Sequence, residues 1–230
     1  MEQVNNMTDE QIQHFIDTLN SGEQTQLILK QLSERVYWAA VWELPATALT
    51  NLTKDEPQWF YFIKNENEQF VAAVFDMGHD LHWFTLPNHR GKGHLSNALR
   101  NVILNHLTHY HNRDKQRITI SRGALSKKNF QASCNLAQSI GFVEEQEGHY
   151  FFQKPASEAP TLTYNGLDDT QREALKLELI KASSLVTRVA TKLELEYGQL
   201  PSVESLQELS KQVFYGINRL EDILYEQSSY

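Results

Sequence analysis

The chain has 230 residues, 40% hydrophobic, 10% aromatic and 22% charged, and 21 Lys and Arg against 29 Asp and Glu give a formal net charge of −8. That balance belongs to a folded globular protein and excludes a disordered or low-complexity chain; the length suits one large domain, or a domain with a smaller appendage. No apolar run approaches the ~20 residues that cross a membrane, and a single cysteine, Cys134, leaves no internal disulfide to form.

The start MEQVNNMTDEQIQHF lacks the basic residues and apolar stretch of a secretory signal, so a reducing cytoplasm is the expected setting. The Asn-x-Thr triplets at Asn6 and Asn51 then carry no glycosylation. TDEQIQHFIDTLN (8–20) predicts a helix, capped by Thr8 or Asp9, with Ile12, Phe15, Ile16 and Leu19 at helical spacing. Ser21-Gly22 breaks it, and EQTQLILKQLSERV is expected to continue as a second helix. YWAAVWEL (37–44) fits helix or strand. QWFYFIK (58–64) and QFVAAVFD (69–76) predict a hairpin around Asn65–Glu68, and LHWFTL (81–86) a third strand ending at Pro87.

An amphipathic helix follows from His94 to His111, with Leu95, Leu99, Val102, Ile103 and Leu107 on one side. RITIS (117–121) reads as a strand, SKKNFQASCNLAQSI as a helix closed at Gly141, and FVEEQ with HYFFQK as a final hairpin. PASEAP (155–160) is the expected linker. Beyond it, Leu175, Leu179, Ala182, Val186, Val189 and Leu193 form one seam. Val203, Leu206, Ser210, Val213, Ile217, Leu220 and Leu224 form another, and GQLPS turns the chain between them. The expected architecture is a mixed α/β domain over 1–155, with a mostly antiparallel sheet flanked by helices, and an α-helical hairpin over 161–230.

Charge is distributed unevenly. Met1–Thr85 holds 13 acids and 4 bases, whereas Leu86–Lys128 holds 9 bases and the single acid Asp114. Such a patch concentrates anions, but the acidic remainder repels a long polyanion, which argues against nucleic acid and for a small, highly charged ligand. Within the patch, Arg90-Gly91-Lys92-Gly93-His94 lies between a strand and a helix. The first amides of a helix lack intrahelical partners and sit at its positive end, and glycines let phosphate oxygens approach the backbone. The spacing is neither that of a Walker loop nor GxGxxG.

This segment resembles the pyrophosphate-binding motif of the GNAT N-acetyltransferase superfamily, Arg/Gln-x-x-Gly-x-Gly/Ala, at Arg90–Leu95. The run Ser133–Phe142, ending in Gly141-Phe142, is similar to the family's later helix. The resemblance implies a GNAT-like fold over about 1–155 and acetyl-CoA as co-substrate, with no metal. It implies that backbone groups of Phe84, Thr85 and Leu86 hold the pantetheine, and that the amides of Gly91, Lys92, Gly93, His94 and Leu95 hold the pyrophosphate, with charge from Arg90 and Lys92 and a contact from Asn129. Two positions depart from the family pattern: Leu95 stands where it has Gly or Ala, and Ala137 where it often has an acidic tyrosine.

The chemistry implied is direct attack of a neutral amine on the thioester, which needs a base. Asp76, His79, Asp80 and His82 lie on or near the right strands. His82 and Asp80 are the leading catalytic candidates, with Ser133 or Tyr150 in place of the missing acid. His106, His109 and His111 have no carboxylate or thiol beside them to complete a metal site. The acidic N-terminal half points to a cationic amine acceptor, small molecule or protein, and the hairpin to a homodimer or a docked partner. The alternative, motivated by Leu95 and Ala137, is an inactive GNAT-fold module that senses CoA or binds a protein.

Overall fold

The computed structural model describes residues 7–22, 27–42, 57–123, 126–155 and 167–228. The PASEAP linker beyond Pro155 and the triplets at Asn6 and Asn51 lie outside the described residues. Contacts divide the chain into two units, one to Tyr164 and one from Asn165.

In the first unit the order is α1 (Asp9–Ser21), β1 (Leu27–Gln31), β2 (Val36–Val41), β3 (Gln58–Lys64), β4 (Phe70–Asp76), β5 (Asp80–Thr85), α2 (His94–Ala98), β6 (Lys115–Thr119), α3 (Lys127–Ser139), β7 (Val143–Gln146) and β8 (His149–Gln153). The strands form one eight-stranded sheet in the order β1-β2-β3-β4-β5-β6-β8-β7. Every neighbouring pair is antiparallel except β5 and β6.

The second helix expected over EQTQLILKQLSERV is absent. Its described part supplies β1 and the first residue of β2 instead, and YWAAV is strand. Leu27 is buried against the α1 side of the sheet while Ile28 is 65% exposed. A two-residue period and pairing with β2 prevail over the helix propensity of Leu, Lys and Gln.

Two apolar layers cover the sheet. On one side α1 buries Ile12, Phe15, Ile16 and Leu19 against Phe60, Phe62, Phe75 and Phe84. Each such side chain is worth about 1.5–3 kcal/mol. Thr8 starts this helix with a reciprocal cap to Gln11, and Gly22, at φ 81°, ends it. On the other side Leu95, Leu99, Ile103, Leu107, Ala137 and Ile140 pack over Tyr61, Val74, Leu81 and Ile118.

The helix beginning at His94 runs to Tyr110, but it widens into π-turns at Leu99–Ile103 and His106–Tyr110. In the second, the His111 amide reaches the His106 carbonyl at 3.1 Å. His106 is fully buried. Its Nδ1 lies 2.8 Å from the Tyr61 hydroxyl, and its ring stacks on Tyr110.

The second unit is α4 (Asp169–Tyr197) and α5 (Pro201–Ser228). Asp168 caps α4 with Gln171 in a reciprocal box. The residues buried between the helices are Ser183, Ala190, Val203 and Ser210. The α5 seam includes positions anticipated from the sequence; on α4 Leu179, Val186 and Leu193 are half-buried as anticipated, but Leu175 and Val189, 36% and 54% exposed, give way to Ser183 and Ala190, which rotates the seam in part. Hydroxyls set that rotation. Ser183 Oγ lies 3.0 Å from Ser210 Oγ, which lies 2.6 Å from Thr187 Oγ1.

Burial pushes the His106 imidazolium down to about pKa 3, with His111, Lys30 and Arg113 adding repulsion; His111 is lowered by the same burial and by Arg113. Because the folded values lie below the unfolded ones, the unfolded chain takes up these protons first. Stability therefore falls as pH drops below about 6.5 and continues to fall towards 3. Urea titrations across this range are expected to show a smaller pH slope in His106→Gln than in wild type, whatever the change in absolute stability.

Candidate functional site

The parallel pair sets the geometry. β5 and β6 are joined only at Asp80 opposite Arg117 and Leu81 opposite Ile118. Beyond that, β6 follows β8 while β5 continues beside β4, so the two diverge. At the point of divergence the Asp80 carboxylate accepts from Arg117 Nε at 3.0 Å, from the Thr119 amide at 2.9 Å and from Thr119 Oγ1 at 2.6 Å. One turn away, Arg113 holds Asp76 with two bonds of 2.8 Å and also reaches the Gly78 carbonyl. Two of the four candidate bases are thus committed to holding the strands together. His79 is exposed in the β4–β5 turn.

The divergence opens a cleft of about 500 Å3. Trp83, Phe84 and Thr85 form one wall, and Asn129, Ser133 and Leu136 of α3 the other. Asp9 also lines it, although Asp9 starts α1 on the opposite face of the sheet. The opening therefore passes between the strands from one layer to the other. Along β5, the Leu86 amide is bonded to the Val71 carbonyl. By the alternation of strand backbone, Phe84 and Leu86 turn their main chain to β4, and Trp83 and Thr85 turn theirs to the gap. Leu86 and Lys92 do not line the cleft.

The rim is made by the glycine turn. After the 3-10 turn Pro87–His89, Gly91 and Gly93 adopt φ of 74° and 84°, values that a residue with a Cβ adopts at a cost. Gly93 is the N-cap of α2 and offers no side-chain cap. The amides of Gly91, Lys92, Gly93, His94, Leu95 and Ser96 have no acceptor among the described residues. Leu95 does not plug the turn: it is 9% exposed and packs in the core with Ala98 and Leu99. Ala137 is fully buried in the same core.

Arg90 spans the mouth, its Nε on the Thr85 carbonyl at 3.0 Å and Nη1 at 3.4 Å from Asn129 Oδ1. Asn129 stands in the first turn of α3, which Ser126 caps. The first turns of α2 and α3 carry no acid, whereas those of α1 and α4 do. Lys127 and Lys128 instead add positive charge where the dipole is already positive. That is a cost without an anion present and a gain with one. The Glu66 carboxylate lies 3.7 Å from the largely buried His94. It is held below its ordinary pKa by its own backbone amide first and by His94, Arg35 and Lys92 after it.

Two further residues of the cleft, Asp9 and His89, carry no sequence signal that singles them out, and His82, the leading candidate from the sequence, stands beside Asp9 without itself lining the cleft. His82 Nε2 lies 2.9 Å from Asp9 Oδ1, both partly exposed; the first residue of α1 and a strand residue 73 positions apart meet only in the fold. His89 also lines the cleft, and its buried Nδ1 has no partner among the described residues.

Tyr150 is elsewhere. It lines a separate cavity of about 460 Å3 with Cys134, Glu144 and His149. Burial, then Cys134 and Glu144, push its phenol far above the ordinary value, so it stays protonated. Among the described residues no group of three or more His, Cys, Asp or Glu is arranged to hold a metal. No helix among them is long and apolar enough to cross a membrane.

Compared with models of protein families, with curated proteins and with solved structures, the chain matches none.

Two substitutions probe this geometry. Arg113→Ala leaves Asp76, 8% exposed, without its cation and is expected to cost about 3–5 kcal/mol. Gly93→Ala meets only Asn97 and Ser96 side-chain atoms, at 3.6 and 3.9 Å. Its cost is then that of the left-handed backbone, about 1 kcal/mol. Urea midpoints at neutral pH measure both.

Proposed function

We propose that the first unit is a GNAT-type N-acetyltransferase that moves an acetyl group from acetyl-CoA to an amine. The observation that carries this reading is the run of six main-chain amides, Gly91 to Ser96, without an acceptor among the described residues, at the rim of a gap that passes through the sheet. A diphosphate suits that rim: it takes several N–H donors at once and gains from two helix N-termini and the Arg90 guanidinium. A thiol-bearing arm running from it along Trp83 and Thr85 would carry a thioester into the gap.

The amine then approaches from the α1 side, where the Asp9–His82 pair stands. His82 takes the ammonium proton, and Asp9 holds the imidazole in place and balances the charge that forms. The amine lone pair makes the new C–N bond as the C–S bond breaks, and the electrons of that bond leave with sulfur. The second proton of the acylated nitrogen would pass to the thiolate by way of the hydroxyl of Ser133, which lines the α3 wall. The acidic residues around the start of α1 favour a cationic acceptor. The helical hairpin would join copies of the chain or dock a partner.

The other reading keeps CoA binding without turnover. It is favoured by the alanine at position 137, which leaves no hydroxyl at the site the family uses for the acid.

Calorimetric titration with CoA is expected to give micromolar binding that Arg90→Ala weakens about tenfold; absence of heat in the wild type overturns both readings. Release of thiol from acetyl-CoA in the presence of diverse amines separates them. If transfer occurs, His82→Ala is expected to lower kcat about 100-fold and Asp9→Asn about tenfold, with CoA affinity unchanged.

A further inference from the structure

The hairpin buries too little to stand uncovered. Of the four residues enclosed between α4 and α5, two are serines, and a two-helix unit of this size needs a second apolar contact. Leu175, Ala182 and Val189 each precede by one residue the α4 seam positions 176, 183 and 190, and Leu209 precedes the α5 position 210 in the same way, while Gly216 lies against Leu179 of α4. On antiparallel helices an equal offset from the seam points to the same side of the hairpin. That side is charge-free along these positions and exposed: Val189 by 54%, Leu209 by 46% and Ile223 by 56%.

We infer that a second copy of this hairpin covers this face, making an antiparallel four-helix bundle about a twofold axis. The choice of occupant rests on the α4 flank of the strip, which reads Glu178, Leu185, Lys192 at seven-residue intervals. Ser183 and Thr187 straddle Ser210, which fixes Leu185 level with the middle of the hairpin. An antiparallel α4 centred there sets Leu185 against its own copy, Glu178 against Lys192 twice, and the small Ala182 against Val189. A surface complementary to itself in shape and charge is the signature of an isologous interface. Neither Glu178 nor Lys192 has an ion-pair partner among the described residues, and Leu185 is 60% exposed. About 20 residues of each helix present a face of roughly 30 by 20 Å, about 600 Å2, the lower end of the roughly 600–1,000 Å2 per partner of a standard interface.

Sedimentation velocity of the full chain from about 1 to about 100 µM tests this. Twice the monomer mass of 26.6 kDa is expected at the upper concentrations. Glu178→Lys and Lys192→Glu are each expected to weaken the dimer at least about tenfold, since each creates two like-charge contacts. The double exchange, Glu178→Lys with Lys192→Glu, should return to within about threefold of wild type. Helix content by circular dichroism shows that these surface changes leave the fold intact. A wild type that stays monomeric throughout overturns the inference, as does a double variant no tighter than the singles.

Discussion

The contact on which the first unit depends is the parallel pairing of β5 with β6, only two residues long. Asp80 secures it by taking up Arg117 and Thr119, and Asp76 secures its approach through Arg113. A longer ladder would close the sheet and leave no cleft; no ladder would split the sheet in two. The two carboxylates fasten the strands at one end so that the other end can part. The β6–β8 pairing then draws β6 away, while β4 keeps β5 straight.

What the divergence leaves behind is a set of main-chain groups facing no strand. In most of a sheet such groups are paired, and buried unpaired ones are costly. Here they line an opening, and the turn at Gly91 and Gly93 adds further amides to it. The absence of acids from the first turns of α2 and α3, with lysines in their place on α3, extends the same logic to side chains. Each feature is unfavourable in isolation, and the CoA proposed above would offset them together.

Much of this was legible in the sequence. The basic glycine turn stood out because Arg90, Lys92 and their neighbours interrupt an acidic chain, and the α3 helix ended at Gly141 as its glycine suggests. The Asp9–His82 pair was not legible, because Asp9 reads as an ordinary helix-start acid and no local pattern announces a contact across 73 positions. Nor was β1: LILKQ has the composition of a helix, and only pairing with β2 decides against it. Tyr150 and Ser133 read as equals in the sequence, yet the side of α3 on which each falls separates them. In the hairpin the leucine and valine heptads placed Leu179, Val186 and Leu193 inward, as they are, and three hydroxyls, inconspicuous in composition, replace Ala182 and Val189 by their next neighbours Ser183 and Ala190.

Those hydroxyls also fix where α4 stops sliding on α5. Apolar heptads tolerate displacement by seven residues, because one leucine replaces another. Ser210 moved by one heptad would meet Ala190 in place of Ser183 and leave a buried oxygen without a donor or acceptor, a penalty of about 1–3 kcal/mol. The hairpin is therefore a ruler with a single graduation, and whatever is attached to its ends is held at one spacing.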